Sequence, residues 1–290
     1  MRRRDAVKAL AITSVTPKFL FATPPFPINS KATLADETFS SDWQNWPDML
    51  WVGPEYWGNR LQDWEIRSGR AVCNVNGTDR ALHALPCQLS DRKASFETQV
   101  MAEMLRPVSP EQPTDGYLGV RFGAKGRFPD YRSAAVFGKG LDAGFDSNGK
   151  LFIGDTQGDV VLDTRQPVLL RLQVTPQRNT YNVTLTASDE NENELAKLTK
   201  EAVSAENLQG NLALVSSFEP AKRGNSHPSA AFSNWEISGE KVAYAQEQTY
   251  GPVAFAQYTL HNGTLKLTAQ HTPVEAIEGH KVLLQIKENG

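Results

Sequence analysis

The chain has 290 residues, 40% of them hydrophobic and 22% charged, and its 30 Lys and Arg against 33 Asp and Glu give a formal net charge of −3. These values fit one large β domain, or one domain with part of a second, and exclude a disordered or fibrous chain. Both signs are spread along the sequence with no basic block of five or more, so nucleic acid and anionic membrane are not expected partners, and no run of 18 apolar residues offers a membrane span in the mature chain.

The first residues read MRRRDAVKALAITSV. Arg3-Arg4 ahead of a short apolar stretch is the pattern of a twin-arginine export signal, the alternative being a basic N-terminal arm. Residues 1–35 are assigned to that signal and a linker, which makes the expected setting periplasmic or extracellular. Next comes LWVGPEYWGNRLQDWEIRSGR, residues 50–70, and with Trp43 and Trp46 just upstream it gathers five of the six tryptophans. Trp64 alternates with Ile66 as a strand residue and is expected in the core. Trp51 and Trp57 flank a Gly-Pro turn and are expected to be half exposed, with Trp57 the candidate ligand platform.

Cys73 and Cys87 follow. In an oxidising compartment a pair on neighbouring strands can bridge, and closing that loop would stabilise by about 3 kcal/mol. Two buried free thiols are the alternative reading.

From residue 36 to 240 the dominant signal is period-2 alternation broken by turn residues. SFETQVMAEMLRP places Phe96, Thr98, Val100, Ala102 and Met104 on one face, with Glu97, Gln99 and Glu103 on the other. YLGVRFGA, SAAVFGKG, KLFIGD, PVLLRLQVTP, TYNVTLTASD and AFSNWEISG read as further strands. Asn148-Gly149 suggests a type I′ hairpin turn. The only helical candidate is 192–208, which also reads partly as strand and loop. Ten or more short strands without a βαβ rhythm predict an all-β, antiparallel two-sheet sandwich. Residues 241–290 predict an incomplete second β domain, with a hairpin on Asn262-Gly263 and one further strand in HKVLLQIKENG.

Few motifs carry chemistry. Glu97 and Glu103 share a face, but six residues of strand separate them by about 20 Å, too far for a retaining glycosidase. There is no nucleophile elbow, and the five histidines show no His-x-His or His-x-x-x-His spacing, so neither catalytic nor metal-ligand residues are assigned and no cofactor is expected. The most suggestive polar set is Arg80, His83, Arg121, Asp130, Tyr131 and Arg132. Arginine suits bidentate contact with carboxylate or phosphate, and Gly-rich turns allow close backbone approach. The bland alternative is that Arg–Asp pairs tie strand ends together.

The outline, from LQDWEIRSGRAVC to FSNWEISG, resembles the concanavalin A-like jelly roll of lectins and glucanases. LWVGPEYWGNRLQDWEIRSGR, DGYLGVRFG, DYRSAAVFGKGLDAGFDSNGKLFIG and GPVAFAQYTLHNGTLKLTAQ together resemble the N-terminal region of secreted alkaline phosphatase D-like metallophosphatases, over about residues 36–290. The resemblance implies a concanavalin A-like module followed by the start of a small sandwich, with a catalytic phosphoric ester hydrolase domain downstream. The Asp, His and Asn metal ligands of that domain have no counterpart here. The expected function is therefore a non-catalytic module of an exported metallophosphatase-like protein that binds a polysaccharide or anionic polymer, or positions a catalytic domain. The alternatives are a free-standing carbohydrate-binding, lectin-like domain and a polysaccharide-active enzyme with an unrecognised site.

Overall fold

The structure is a computed structural model that describes residues 38–105, 115–220 and 227–274. The expected export segment 1–35 and the expected strand in 280–290 lie outside the described residues. The chain opens with β1 (Phe39–Ser40), a 3-10 turn, β2 (Tyr56–Gly58), a second 3-10 turn and the hairpin β3 (Trp64–Arg67)–β4 (Arg70–Cys73). It continues through β5 (Arg80–Leu89), β6 (Phe96–Met104), β7 (Gly116–Lys125), the helix α1 (Tyr131–Phe137), β8 (Lys139–Asp146), β9 (Lys150–Ile153) and β10 (Thr156–Val161). Then follow β11 (Val168–Pro176), β12 (Thr180–Ser188), β13 (Glu194–Ser204), β14 (Gly210–Phe218), β15 (Ala230–Ser238), β16 (Val242–Tyr244), β17 (Val253–His261) and β18 (Thr264–His271).

Two antiparallel sheets face each other. The first runs β13-β12-β11-β6-β15-β4-β3 with β1 beside β15; the second runs β10-β9-β8-β7-β14-β5-β16 with β2 beside β5. Strands adjacent in a sheet are often distant in sequence, as β14 is between β7 and β5, because the chain repeatedly crosses from one layer to the other. This is the all-β, antiparallel jelly-roll sandwich that the alternation predicts. The face of β6 expected inside is inside: Phe96, Thr98, Val100, Ala102 and Met104 are buried. On its outer face Glu97 accepts from Gln173 at 2.7 Å and Glu103 pairs with Arg70, so these carboxylates are strand-surface partners.

The tryptophans are mainly a packing cluster. Trp43, Trp51, Trp64 and Trp235 are buried among the core residues of both sheets. The Trp43 indole donates to the Val52 carbonyl at 3.0 Å, and Trp235 donates to Thr98 Oγ1 at 2.9 Å, so these polar edges stay paired inside. Trp64 lies in the core as expected, and Trp57 is the more exposed of the two. Trp51 departs from expectation: it is buried, with the Trp46 ring edge-on to it at 6.0 Å between centroids and Gly251 against its six-membered ring.

Other expectations change in the three-dimensional context. SAAVFG is the helix α1 rather than a strand. Asp130 supplies its N-cap, accepting from the Arg132 amide at 2.8 Å, while Gly138 ends it, and the Ala-Ala pair seats on the sheet. Conversely 194–204 is the edge strand β13, paired along β12, since Leu198, Ala196 and Val203 serve a sheet better than a helix stripe. At the 146–149 turn only Gly149 takes positive φ, at 81°, and Asp146 Oδ1 accepts from the Asn148 and Lys150 amides, so this is not the type I′ turn expected. At the tip of β17–β18 both Asn262 (φ 45°) and Gly263 (φ 75°) are left-handed, as a type I′ turn requires. The second sheet also keeps β16, at 242–244, beyond the boundary expected at 240.

Cys73 and Cys87 are free and buried. They do not lie on neighbouring strands: β4 belongs to the first sheet and β5 to the second. Burial pushes both thiols above their ordinary range, so they behave as small core hydrophobes.

Candidate binding face on the second sheet

Six of the seven residues singled out from sequence cluster around β5, β7 and α1, but each charged one already has a partner. Arg80 Nε donates to Asp63 Oδ2 at 2.6 Å. Arg132 folds back on Asp130 at 2.8 Å, at the solvent-facing start of α1, where it also lies over the Tyr131 ring. Arg121 sits instead beneath the other end of the helix, where its Nη1 donates to the Gly138 carbonyl at 3.5 Å. The Arg–Asp pairs thus tie strand and helix ends together, and Arg121 and Arg132 do not share a site. Trp57 is partly exposed and meets Tyr250 edge-on, with ring centroids 4.5 Å apart.

Registers across the second sheet order its outer face into rows. Trp57, His83, Ala213, Arg121 and Asp142 are consecutive neighbours on β2, β5, β14, β7 and β8. Two residues along, Ala81, Val215, Gly119, Gly144 and Phe152 form a second row. A third holds Ser217, Tyr117 and Asp146. The middle row is small apart from its end, and at Gly144 a Cβ would lie 1.9 Å from the Leu118 carbonyl oxygen, so only glycine allows the two strands this approach. Ala81, Val215, Gly119 and Gly144 are themselves buried, so the accessible part of this face is the end that carries Tyr117, Phe152 and Asp146.

His83 is buried under α1, whose Ala134 and Ala135 pack onto the sheet, and its Nδ1 has no hydrogen-bond partner. Burial, then the adjacent Arg121 charge, lowers its pKa to about 3, against an opposing pull from Asp79, so the imidazole is neutral. It is a core histidine rather than a ligand contact.

Arg121 is the organiser of the face. Its side chain is only 6% exposed, yet it grips Asp142 with two bonds, Nε–Oδ1 at 2.6 Å and Nη2–Oδ2 at 2.9 Å. Its Nη1 also lies 2.7 Å from Asp79 Oδ1, a charge contact that is not aligned as a hydrogen bond. Burial opposes the guanidinium charge, and the two carboxylates more than offset it. Asp79, at φ 60°, is fixed further by Lys139 Nζ at 2.6 Å, by its amide on Ser217 Oγ at 3.1 Å, and by Asn59 on its carbonyl at 2.6 Å. Burial would raise its carboxyl, but the Lys139 bond and the close Arg121 charge hold it below the ordinary value. Tyr117 donates to Asp142 Oδ2 at 2.7 Å, and burial with that carboxylate pushes its phenol up to about 12. The Tyr117 ring meets Phe152 edge-on at 5.0 Å, and both rings remain partly exposed.

The residues overlooked in sequence are Asp79, Tyr117, Lys139, Asp142 and Phe152. Tyr117 was within reach, since the alternation that points Arg121 outward points Tyr117 the same way. Asp79 and Lys139 lie 60 residues apart and meet only through the fold. Among the described residues no group of three or more His, Cys, Asp or Glu could hold a metal ion, and no helix is long and apolar enough to cross a membrane.

No family model and no curated protein matches the chain. Solved structures similar to it include the acidic winged bean lectin complexed with methyl-α-D-galactose, at 14% identity over 70% of this chain and 98% of that one, with a TM-score of 0.49. The basic winged bean lectin with Tn-antigen is 12% identical over 70% and 98%, at 0.48. The metal-free lectin I-B4 from Griffonia simplicifolia is 13% identical over 70% and 99%, at 0.46. Likeness at this level does not extend to a site.

Proposed function

We propose that this chain is a non-catalytic, carbohydrate-binding β-sandwich module, and that the outer face of its second sheet around Tyr117, Phe152, Asp79 and Lys139 holds the glycan. The observation that supports this most is the partly exposed Tyr117–Phe152 pair beside carboxylates that a buried arginine holds in place. Aromatic faces take the apolar C–H surface of a sugar, and fixed carboxylates accept from its hydroxyls. Because Arg121 fixes the acceptors beforehand, little ordering entropy remains to oppose binding. Affinity electrophoresis in gels cast with polysaccharides tests the reading. The native chain is retarded in at least one gel, and Tyr117→Ala weakens that retention about tenfold, the effect of losing about 1.4 kcal/mol. Equal retention of native chain and variant would move the site elsewhere.

A second reading concerns what the module serves. The hairpin β17–β18 exposes Phe255, Tyr258, Leu260, Leu265 and Leu267, and a two-stranded sheet with uncovered apolar side chains calls for a partner. This supports a module that works beside a downstream catalytic domain, as the metallophosphatase resemblance implies. Hydrolysis of a phosphoric ester by the 290-residue chain alone would sink that reading. We place the module outside the cytoplasm on the strength of the N-terminal Arg3-Arg4 pattern. Arg3-Arg4→Lys-Lys then traps the chain inside, and unchanged secretion would refute this.

A further inference from the structure

We infer that the glycan bound by this face is uncharged, rather than the anionic polymer that its arginines suggest in sequence. The inference rests on the binding face proposed above and concerns the chemistry of its ligand. Three carboxylates, Asp79, Asp142 and Asp146, stand on or beside the outer face with three cations, Arg121, Lys139 and Lys150, so these six charges balance, and Asp115 and Glu219 extend the same rows with further negative charge. Two of these cations are already engaged. Arg121 is bidentate on Asp142 and nearly inaccessible, so a ligand carboxylate or sulfate would have to strip it from Asp142 and leave that side chain, only 14% exposed, without its counter-ion. Lys139 is exposed but its ammonium lies on Asp79 Oδ2. An approaching anion meets Asp79, Asp142 and Asp146 at short range, where like charges repel.

A neutral sugar meets no such barrier. Its hydroxyls can donate to the carboxylate oxygens, and its ring can lie against the partly exposed Tyr117 and Phe152, near which Gln157 Nε2 donates to Asp146 Oδ2 at 2.9 Å.

The experiment compares polymers that share a backbone and differ in charge. Native gels are cast with hydroxyethyl cellulose or carboxymethyl cellulose, and with galactomannan, laminarin, alginate or polygalacturonate, at low and at physiological salt. Retardation by at least one neutral polymer, with at most a third of that effect in any anionic gel and little change with salt, is the expected result. Retention confined to anionic gels, or equal in the two cellulose derivatives, would overturn the inference while leaving a carbohydrate-binding module in place. Retention in none of the gels would remove the binding reading itself. Asp79→Asn provides the second arm: with the local balance turned positive and Lys139 released, it should gain at least threefold in retention by alginate at low salt. A variant that folds, as judged by its melting curve, and gains nothing would also count against a charge-balanced face.

Discussion

His83 gives the most quantitative test of how the second sheet is built. The imidazole is buried, its Nδ1 is unpartnered, and its pKa falls from 6.5 to about 3 because charging it means desolvating an ion beneath α1 and beside Arg121. In the unfolded chain the same group titrates near 6.5. Its folded pKa is the lower one, so between the two values the unfolded state binds the extra proton, and stability is present above pH 6.5 and lost as pH falls towards 3. Each pH unit in that window removes about 1.4 kcal/mol, so lowering the pH from 6.5 to 4.5 costs the native protein about 2–3 kcal/mol through this residue. Urea unfolding at pH 7.5, 6.5, 5.5 and 4.5 measures it, with His83→Leu as the comparison. The variant should lose that part of the slope and be no less stable than the native chain at the acidic end, because it removes an unsatisfied polar group from the interior. Parallel pH profiles for the two proteins would show that the imidazole is hydrated or paired when folded, and the reasoning about the row it occupies would fail.

Asp142→Ala strips the bidentate partner from buried Arg121 and should destabilise by about 3 kcal/mol, lowering the melting temperature by roughly 6–12 °C in a domain of this size. A loss under 1 kcal/mol would mean that Asp79 or solvent suffices to hold the guanidinium. Trp64→Ala, which empties a core position, should cost about 3–5 kcal/mol in urea titration, while Trp57→Ala, which removes a partly exposed ring, should cost well under half as much. Similar losses would contradict the burial order. Titration with a thiol reagent should find two reactive thiols per chain after denaturation without reductant and essentially none in the native state; no thiols after denaturation would show a bridge.

The sandwich was legible because strand alternation is local: the inward set of β6 can be read from five residues at spacing two. The helix α1 was not, since in seven residues the helix preference of Ala134 and Ala135 is set against the strand preference of Val136 and Phe137, and the Asp130 cap and the sheet that receives the two alanines decide it. Among the tryptophans, Trp64 was legible from its strand and Trp51 was not, because a contact against its ring comes from Gly251, two hundred residues later. The face itself shows the same division. Arg121 stood out by type, but its role depended on Asp79 and Asp142, whose arrival at its two ends is a matter of register and of the crossing between strands. A cluster of arginines in sequence thus suits a carboxylate or phosphate ligand, whereas in space each of Arg80, Arg121 and Arg132 brings its own aspartate.

The central claim is a location, and amide chemical-shift mapping tests it most directly. A soluble oligosaccharide of whichever polymer retards the protein is titrated into the isotope-labelled chain. Shifts concentrated at Tyr117, Gly119, Gly144, Phe152 and Asp79, with little change at Gln99, Arg171 and Gln173 on the opposite sheet, are the predicted result. Shifts centred on those first-sheet residues or on the 253–271 hairpin, with the Tyr117 row unmoved, would contradict it.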